Sequence, residues 1–264
     1  MIYVLQTCII LFLIYLLFFL ENRRFVVTYE EIRHEKIDFT ATIVQVSDLH
    51  DRAFGRDQQR LLQAIRAAKP DLIVITGDLF NRRNKKACKN AYAFVRGAVS
   101  IAPVYFAEGN HECSLGETGE RYIEEIRKMG VRILRDEYTD LAPFRLIGLK
   151  QYATTDALRA MIDPNRVNVV LAHRPELFPI YAGENPEIVL SGHAHGGQLR
   201  MFDRGLYAPG QGHFPRFTAG QHRIGRSVLY VSRGLGNTIP IPRIFNTPEL
   251  NVLALKPIES KGEK

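Results

Sequence analysis

The chain is 264 residues long, 46% hydrophobic and 24% charged, which excludes a disordered chain and suits one large globular domain, alone or with an appendage. Its three cysteines, Cys8, Cys88 and Cys113, are too widely spaced for a CxxC zinc finger or a disulfide framework and fit a reducing compartment. The formal charge of +7 points to an anionic partner, whether phosphate ester, nucleic acid or acidic lipid, or equally to solubility and attraction to a membrane surface.

The first element is IYVLQTCIILFLIYLLFFL, Ile2 to Leu20, about as long as the roughly 20 apolar residues that cross a bilayer. No basic leader precedes it and no small-residue cleavage site follows, so residues 1–24 read as an uncleaved anchor rather than a removed signal peptide. Arg23, Arg24, Arg33 and Lys36 lie only on its C-terminal side. The positive-inside rule then predicts a single-pass cell-membrane protein whose large domain is cytoplasmic, with an extracytoplasmic domain as the alternative.

Residues 25–41 contain FVVTYEEIRHEKIDF and read as a linker or a charged edge strand. The main domain is expected over 42–258, with a polar tail at 259–264. Short β-branched and aromatic runs at Thr42–Asp48, Asp71–Asp78 and Ala102–Asn110 predict buried strands. Between them, DQQRLLQAIRAAK sets Leu61, Leu62, Ile65 and Ala68 on one helical face, and ACKNAYAFVRGAV does the same with Ala91, Phe94, Val95 and Ala98. TGERYIEEIRKMG continues the alternation, with a capping threonine and a terminal glycine. VNVVLAHRPE, EIVLSGHAHGG, SVLYVSRGLG and ELNVLAL supply further strands. This alternation predicts an α/β fold of layered β-sheets flanked by helices.

Gly196 to Arg226 is long, rich in Gly, Pro and Arg, and carries Phe202, Tyr207, Phe214 and Phe217. Loops of this length are usually functional or mobile. Two readings stay open: its aromatics line an acyl or headgroup groove facing a membrane, or they plug a covering loop into its own fold.

The chemistry gathers where the apolar runs stop. SDLHD offers Asp48 and His50, GDLFNR offers Asp78, GNHE offers Asn110 and His111, AHRPE offers His173, and GHAHGG offers His193 and His195. Parallel α/β sheets collect ligands at the carboxyl ends of their strands, so these clusters can converge. Carboxylate, imidazole and amide donors without thiolate suit Mn, Fe or Zn. Singly, Asp48 and Asp78 would more often cap helices, and Asn110 and His111 would more often serve a turn. His34, His213 and His222 stand outside the pattern and are left out, and Cys113 is read as a small buried hydrophobe rather than a nucleophile.

Five such blocks in this order resemble the calcineurin-like metallophosphoesterases. The closing SRGLG, PR and TPELNVLALKP resemble in particular their bacterial membrane-anchored branch, typified by YkuE and YaeI. The resemblance spans roughly Ile43 to Pro257. It implies two divalent ions, Mn2+ first with Zn2+ and Fe2+ as alternatives. Asp48, His50 and His195 would hold one ion, Asn110, His173 and His193 the other, and Asp78 would bridge. His111 would be the catalytic partner beside the phosphoryl group, and Arg82, matching a GDxxxR arginine, would organise the site or bind phosphate.

The implied reaction is in-line attack of a metal-activated water on a phosphate mono- or diester, without a covalent enzyme intermediate. A phosphoanhydride of the UDP-diacylglucosamine type is the alternative substrate, and a metal-binding scaffold without turnover the alternative class. The anchor favours a lipid-linked substrate. No GxSxG elbow or Walker loop supports other hydrolytic or kinase chemistry. The basic run NRRNKKACKN, Asn81 to Asn90, has no stacking aromatic before Tyr92, which argues against a nucleic-acid groove. It reads equally as an attractor of anions or as a solvated helix face.

Overall fold

The computed structural model describes residues 2–82, 88–239 and 242–258. Arg83, Lys85 and Lys86 of the basic run lie outside the described residues, as does the tail at 259–264. Helix α1 (Ile2–Glu21) buries no residue against the domain and is long and apolar enough to cross a membrane by length and composition. Strands β1 (Val26–His34) and β2 (Ala41–Val46) follow, then α2 (Gln59–Ala68), β3 (Leu72–Thr76), α3 (Lys89–Ala98), β4 (Val104–Ala107), α4 (Asn110–Ser114), α5 (Glu117–Lys128) and β5 (Arg132–Ile133). The chain then crosses to β6 (Glu137–Leu141), β7 (Phe144–Gly148), α6 (Thr155–Met161), β8 (Val167–Leu171), α7 (Phe178–Ala182) and β9 (Ile188–Ser191).

The long loop holds two small hairpins, β10 (Arg200–Met201) with β11 (Arg204–Gly205) and β12 (Tyr207–Ala208) with β13 (Gly212–His213). Strands β14 (Gly220–Ile224), β15 (Ser227–Val231) and β16 (Glu249–Pro257) complete the fold.

Two six-stranded sheets result, ordered β1-β16-β2-β3-β4-β5 and β14-β15-β9-β8-β7-β6. Strands β2 to β5 run parallel in the first, and β7, β8, β9 and β15 run parallel in the second. Side chains alternate across a strand, so one strand feeds two cores. Ile43, Val74 and Tyr105 pack against Leu146, Val169 and Leu190 between the sheets. Their neighbours Val44, Ile73 and Ile75 face Leu61, Ile65, Phe94 and Ile126 of the outer helices. Ile147, Val170 and Val189 face Leu158 and Phe178 on the opposite side. The layers are therefore helix, sheet, sheet, helix, the architecture expected from the alternation.

Three local outcomes refine the sequence reading. Helix α5 starts at Glu117 with Gly116 as its cap, so Thr118 lies in the first turn instead of capping it. Asn110 and His111 begin a short helix rather than occupying a turn. The stretch from Phe25 is an edge strand: β1 pairs parallel with β16, Val26 opposite Glu249 through His34 opposite Pro257.

Buried polar groups tie the sheets at one edge. Gln45 on β2 donates to Thr76 Oγ1 and to the Ser191 carbonyl, both at 3.0 Å, joining the last residues of β3 and β9. The end of α1 is fixed nearby. Asn22 donates to the Arg243 carbonyl at 2.8 Å and accepts from the Arg243 amide at 2.9 Å, while its own carbonyl accepts from Arg52 at 2.6 Å.

The crossing between sheets passes directly over Gly148, where a Cβ would lie 2.2 Å from Leu134 Cβ and 2.9 Å from the Leu134 carbonyl oxygen. Overpacking of this kind costs about 1–3 kcal/mol. Gly148→Val is expected to lower the unfolding temperature by several degrees, read by circular dichroism; an unchanged transition would contradict this packing.

Candidate metal centre

Every polar cluster picked out in the sequence sits beyond the carboxyl end of a parallel strand. Asp48 and His50 follow β2, Asp78 follows β3, Asn110 and His111 follow β4, His173 follows β8, and His193 and His195 follow β9. The two sheets expose these ends at one shared edge, so residues up to 147 positions apart meet.

The turns that deliver them are tight. Asp48, His50, Asp78, His193 and His195 all have φ between 48° and 66°, a left-handed conformation that non-glycine residues adopt at a cost of about 1–2 kcal/mol each. Close approach of the loops requires glycine at two points. A Cβ on Gly192 would lie 1.8 Å from Ser47 Oγ and 2.3 Å from Asp48 Oδ2, and one on Gly77 would lie 2.7 Å from Gly109 Cα. The glycine before His193 thus leaves room for the Asp48 carboxylate.

Three groups of donor atoms, each within 4.8 Å of one another, fill the edge: Asp48, His50 and His195; His50, Asp78 and His111; and Asp78, His173 and His193. All are buried. Asp78 Oδ2 lies 3.4 Å from His173 Nε2 and 3.8 Å from the Nε2 atoms of His50 and His111. Asp48 Oδ1 lies 3.5 Å from His195 Nε2, and Asn110 Oδ1 lies 3.2 Å from His173 Nε2.

Second-layer contacts set the imidazoles. His173 Nδ1 donates to the Thr76 carbonyl at 2.7 Å and His50 Nδ1 to the Phe80 carbonyl at 3.4 Å, which turns each Nε2 inward as metal ligation requires. His193 Nε2 is buried without a hydrogen-bond partner. His111 is set the other way: its Nδ1 accepts the Arg82 amide at 3.4 Å, so in the neutral ring Nε2 carries the proton. Arg82 itself is exposed. His213 stands apart, exposed on its hairpin with its ring 5.5 Å from that of Tyr207.

The charge balance is that of a cation site. Burial pulls His50 and His193 down to about 3, and His195 well below its usual range, leaving the three rings neutral. Burial pushes Asp48 up to about 6, with the Asp78 charge adding to the rise. Burial would also raise Asp78, but His173 first, then His50 and His111, hold it well below the carboxylate range. Desolvation opposes a charge on His173, yet Asp78 outweighs it and lifts the imidazole to about 10. A proton on His173 therefore stands where positive charge is needed.

Two structural groups went unassigned in the sequence. Glu112 accepts from the Asp78 and Gly109 amides at 2.9 Å and from the Phe80 amide at 3.0 Å, clamping the Asp78 turn; burial, then the Asp78 charge, pushes it up to about 7. Arg243 is completely buried. It donates to the carbonyls of Arg233, Gly234 and Gly236 and to His195 Nδ1, the last at 3.0 Å. Burial lowers its guanidinium to about 9, still cationic at neutral pH. Since guanidinium only donates, His195 Nδ1 accepts.

Comparison with known proteins bears on the same region. Residues 41–197 match the family model described as calcineurin-like phosphoesterase. A metallophosphoesterase of Campylobacter jejuni is 30% identical over 230 residues, covering 81% of this chain and 59% of that protein; the chain thus spans under two thirds of that relative's length. The phosphodiesterase YaeI of Escherichia coli is 30% identical over 202 residues, covering 71% of each. Among solved structures, the sulfate thiohydrolase SoxB of Thermus thermophilus matches 85% of this chain and 57% of its own with a TM-score of 0.51 and 14% identity, a likeness of fold alone.

Truncating Arg243 would leave buried carbonyls without donors, each costing about 1–3 kcal/mol. Arg243→Met is expected to lower the unfolding temperature by about 5 °C or more, given roughly 2–4 °C per kcal/mol in a domain of this size. A fall of under about 1 °C in scanning calorimetry would show that the guanidinium is dispensable.

Proposed function

The chain belongs to the calcineurin-like phosphoesterase family and is a hydrolase, and from that premise we propose that it cleaves phosphate mono- or diesters at a centre of two divalent cations. The observation that carries this reading is the sharing of Asp78 between donor groups on either side. Asp48, His50 and His195 would hold one cation, Asn110, His173 and His193 the other, and Asp78 both. The donor set fits: it has two carboxylates, a neutral His50 turned inward by a backbone carbonyl, an unpartnered Nε2 on His193, and His173 and His195, whose inward Nε2 protons a cation would displace. Oxygen and nitrogen donors without sulfur suit Mn2+, Zn2+ or Fe2+, and the family resemblance puts Mn2+ first. When bound, such a pair supplies Lewis acidity, lowering the pKa of water and offsetting charge on phosphoryl oxygens.

The protein's own groups do the rest. His111 presents Nε2–H toward the Asp78 side of the site, where it can donate to a phosphoryl oxygen or protonate the departing oxygen. Burial, and to a lesser degree the Arg82 charge, pulls His111 below its usual range, which keeps the ring neutral and able to donate. Arg82 would attract the phosphate from the exposed rim.

One observation favours a lipid-linked substrate. The relay from Asn22 through Arg243 to His195 ties the exit of α1 to a proposed metal ligand, so anchoring by α1 would hold the centre near a bilayer surface. A lipid phosphoanhydride is the alternative within the same chemistry. The sidedness proposed is a cytoplasmic domain, from the basic residues after the helix.

Hydrolysis of a generic aryl phosphodiester is expected to require Mn2+, to vanish with chelator and to return on adding the metal. His111→Ala is expected to lower kcat by about 10²–10⁴ with manganese stoichiometry unchanged. Equal rates in wild type and His111→Ala would remove His111 from the chemistry, and absence of turnover in both with metal bound would favour a binding scaffold.

A further inference from the structure

The hairpin loop divides its aromatics sharply. Phe217 is buried against Phe178, ring centroids 5.9 Å apart. Phe202 and Phe214 are 91% and 82% exposed, and Phe245, on the neighbouring segment, is 71% exposed. All three exposed rings stand on left-handed backbone, with φ of 48°, 51° and 51°. Bulky residues rarely adopt that conformation, and at Phe202 the two-residue turn between β10 and β11 imposes it.

The three lie on one stitched strip. Leu199 bridges Ile244, and the Arg200 amide donates to the Ile244 carbonyl at 3.0 Å. Phe202 caps the turn between β10 and β11. The Leu206 amide donates to Leu199, and the Phe214 amide to Leu206, both at 2.9 Å. The strip is bound to the metal centre by Asn246, whose side chain donates to the His195 carbonyl at 2.8 Å. It is also continuous with the apolar helix, because the Phe245 ring meets Phe18 of α1 edge-on at 5.3 Å. Exposed Arg204 and Arg216 line a cleft with Phe214 and Pro215, and Arg23 lies over the Phe19 ring.

Resting on the reading of α1 as a membrane anchor, we propose that Phe202, Phe214 and Phe245 insert into the headgroup and acyl boundary of the bilayer that α1 spans. Arg204 and Arg216 meet anionic headgroups, and the metal centre is held against the lipid surface. Phe18 belongs to the apolar run, so Phe245 already sits at the depth where that run ends. Apolar rings flanked by arginine are the chemistry of an interfacial contact.

The chain contains no tryptophan, so single tryptophans report one position each. The full-length variants Phe202→Trp, Phe214→Trp and Phe245→Trp would be placed in nanodiscs of phosphatidylcholine and phosphatidylglycerol, with and without dibrominated phosphatidylcholine. Phe18→Trp reports the anchor. Phe39→Trp, beside Asp71 and Pro103 at the amino-terminal ends of the strands, reports a face turned from the lipid. Bromolipid is expected to quench positions 18, 202, 214 and 245 by about twofold or more and to leave 39 unchanged. Quenching at 18 alone, with the three loop positions behaving like 39, overturns the docking while sparing the anchor. No quenching at 18 overturns both. Arg204→Glu with Arg216→Glu, in the Phe214→Trp background, is expected to weaken quenching only when phosphatidylglycerol is present; an equal effect in pure phosphatidylcholine overturns the headgroup contact.

Discussion

A carboxylate with almost no access to water governs this molecule. Asp78 is buried at the meeting edge of two sheets, and an isolated charge there would be prohibitively costly. Its compensation comes from both sheets at once: the His111 amide and the His50 and His111 rings from the first, the His173 ring from the second. Bringing those groups together demands that the parallel strands of both layers end on the same side and at the same height. The Gln45 bridge to Thr76 and Ser191 enforces that level, and Glu112 holds the Asp78 turn open toward the cluster.

Much of this was legible from the sequence because the central strands are buried on both faces. Such strands read as unbroken apolar runs, and the first polar residue after each run marks its carboxyl end. Hence Asp48, Asp78, Asn110, His173 and His193 could be placed at strand ends without knowing which strands were neighbours. Convergence was the inference; the two sheets supply it. The hairpin of β6 and β7 was harder to see, because β6 is mostly solvent-facing and carries Glu137, Thr139 and Asp140. The start of α5 was misplaced by two residues, where Gly116 at φ 53° caps instead of a threonine.

Arg243 shows the limit most clearly. In the chain it belongs to the PR pair that carries part of the family resemblance, yet nothing in the sequence marks it as buried. Its burial follows from the carbonyls of Arg233, Gly234 and Gly236, to which it donates, and from His195, 48 residues earlier. Only tertiary structure creates such a need. The aromatics of the long loop were ambiguous for a related reason: a phenylalanine's own letter does not say whether a neighbour leaves it a cavity. Phe217 has one, beside Phe178, and Phe202 and Phe214 do not.

The place of β16 bears on how the chain acquires its shape. This strand, the last among the described residues, lies between the first two, antiparallel to β2 and parallel to β1 across more than two hundred residues. Until it leaves the ribosome, β1 has no partner and β2 has an open flank. Contacts this distant are slow to form. The preceding 232–236 turn, which packs Gly234 and Gly236 against Asp48 and Leu49, is also translated late. The pocket around Asp48 is therefore complete only once the 232–236 turn and β16 have been made, so its closure depends on pairing across the whole domain rather than on any single βα unit.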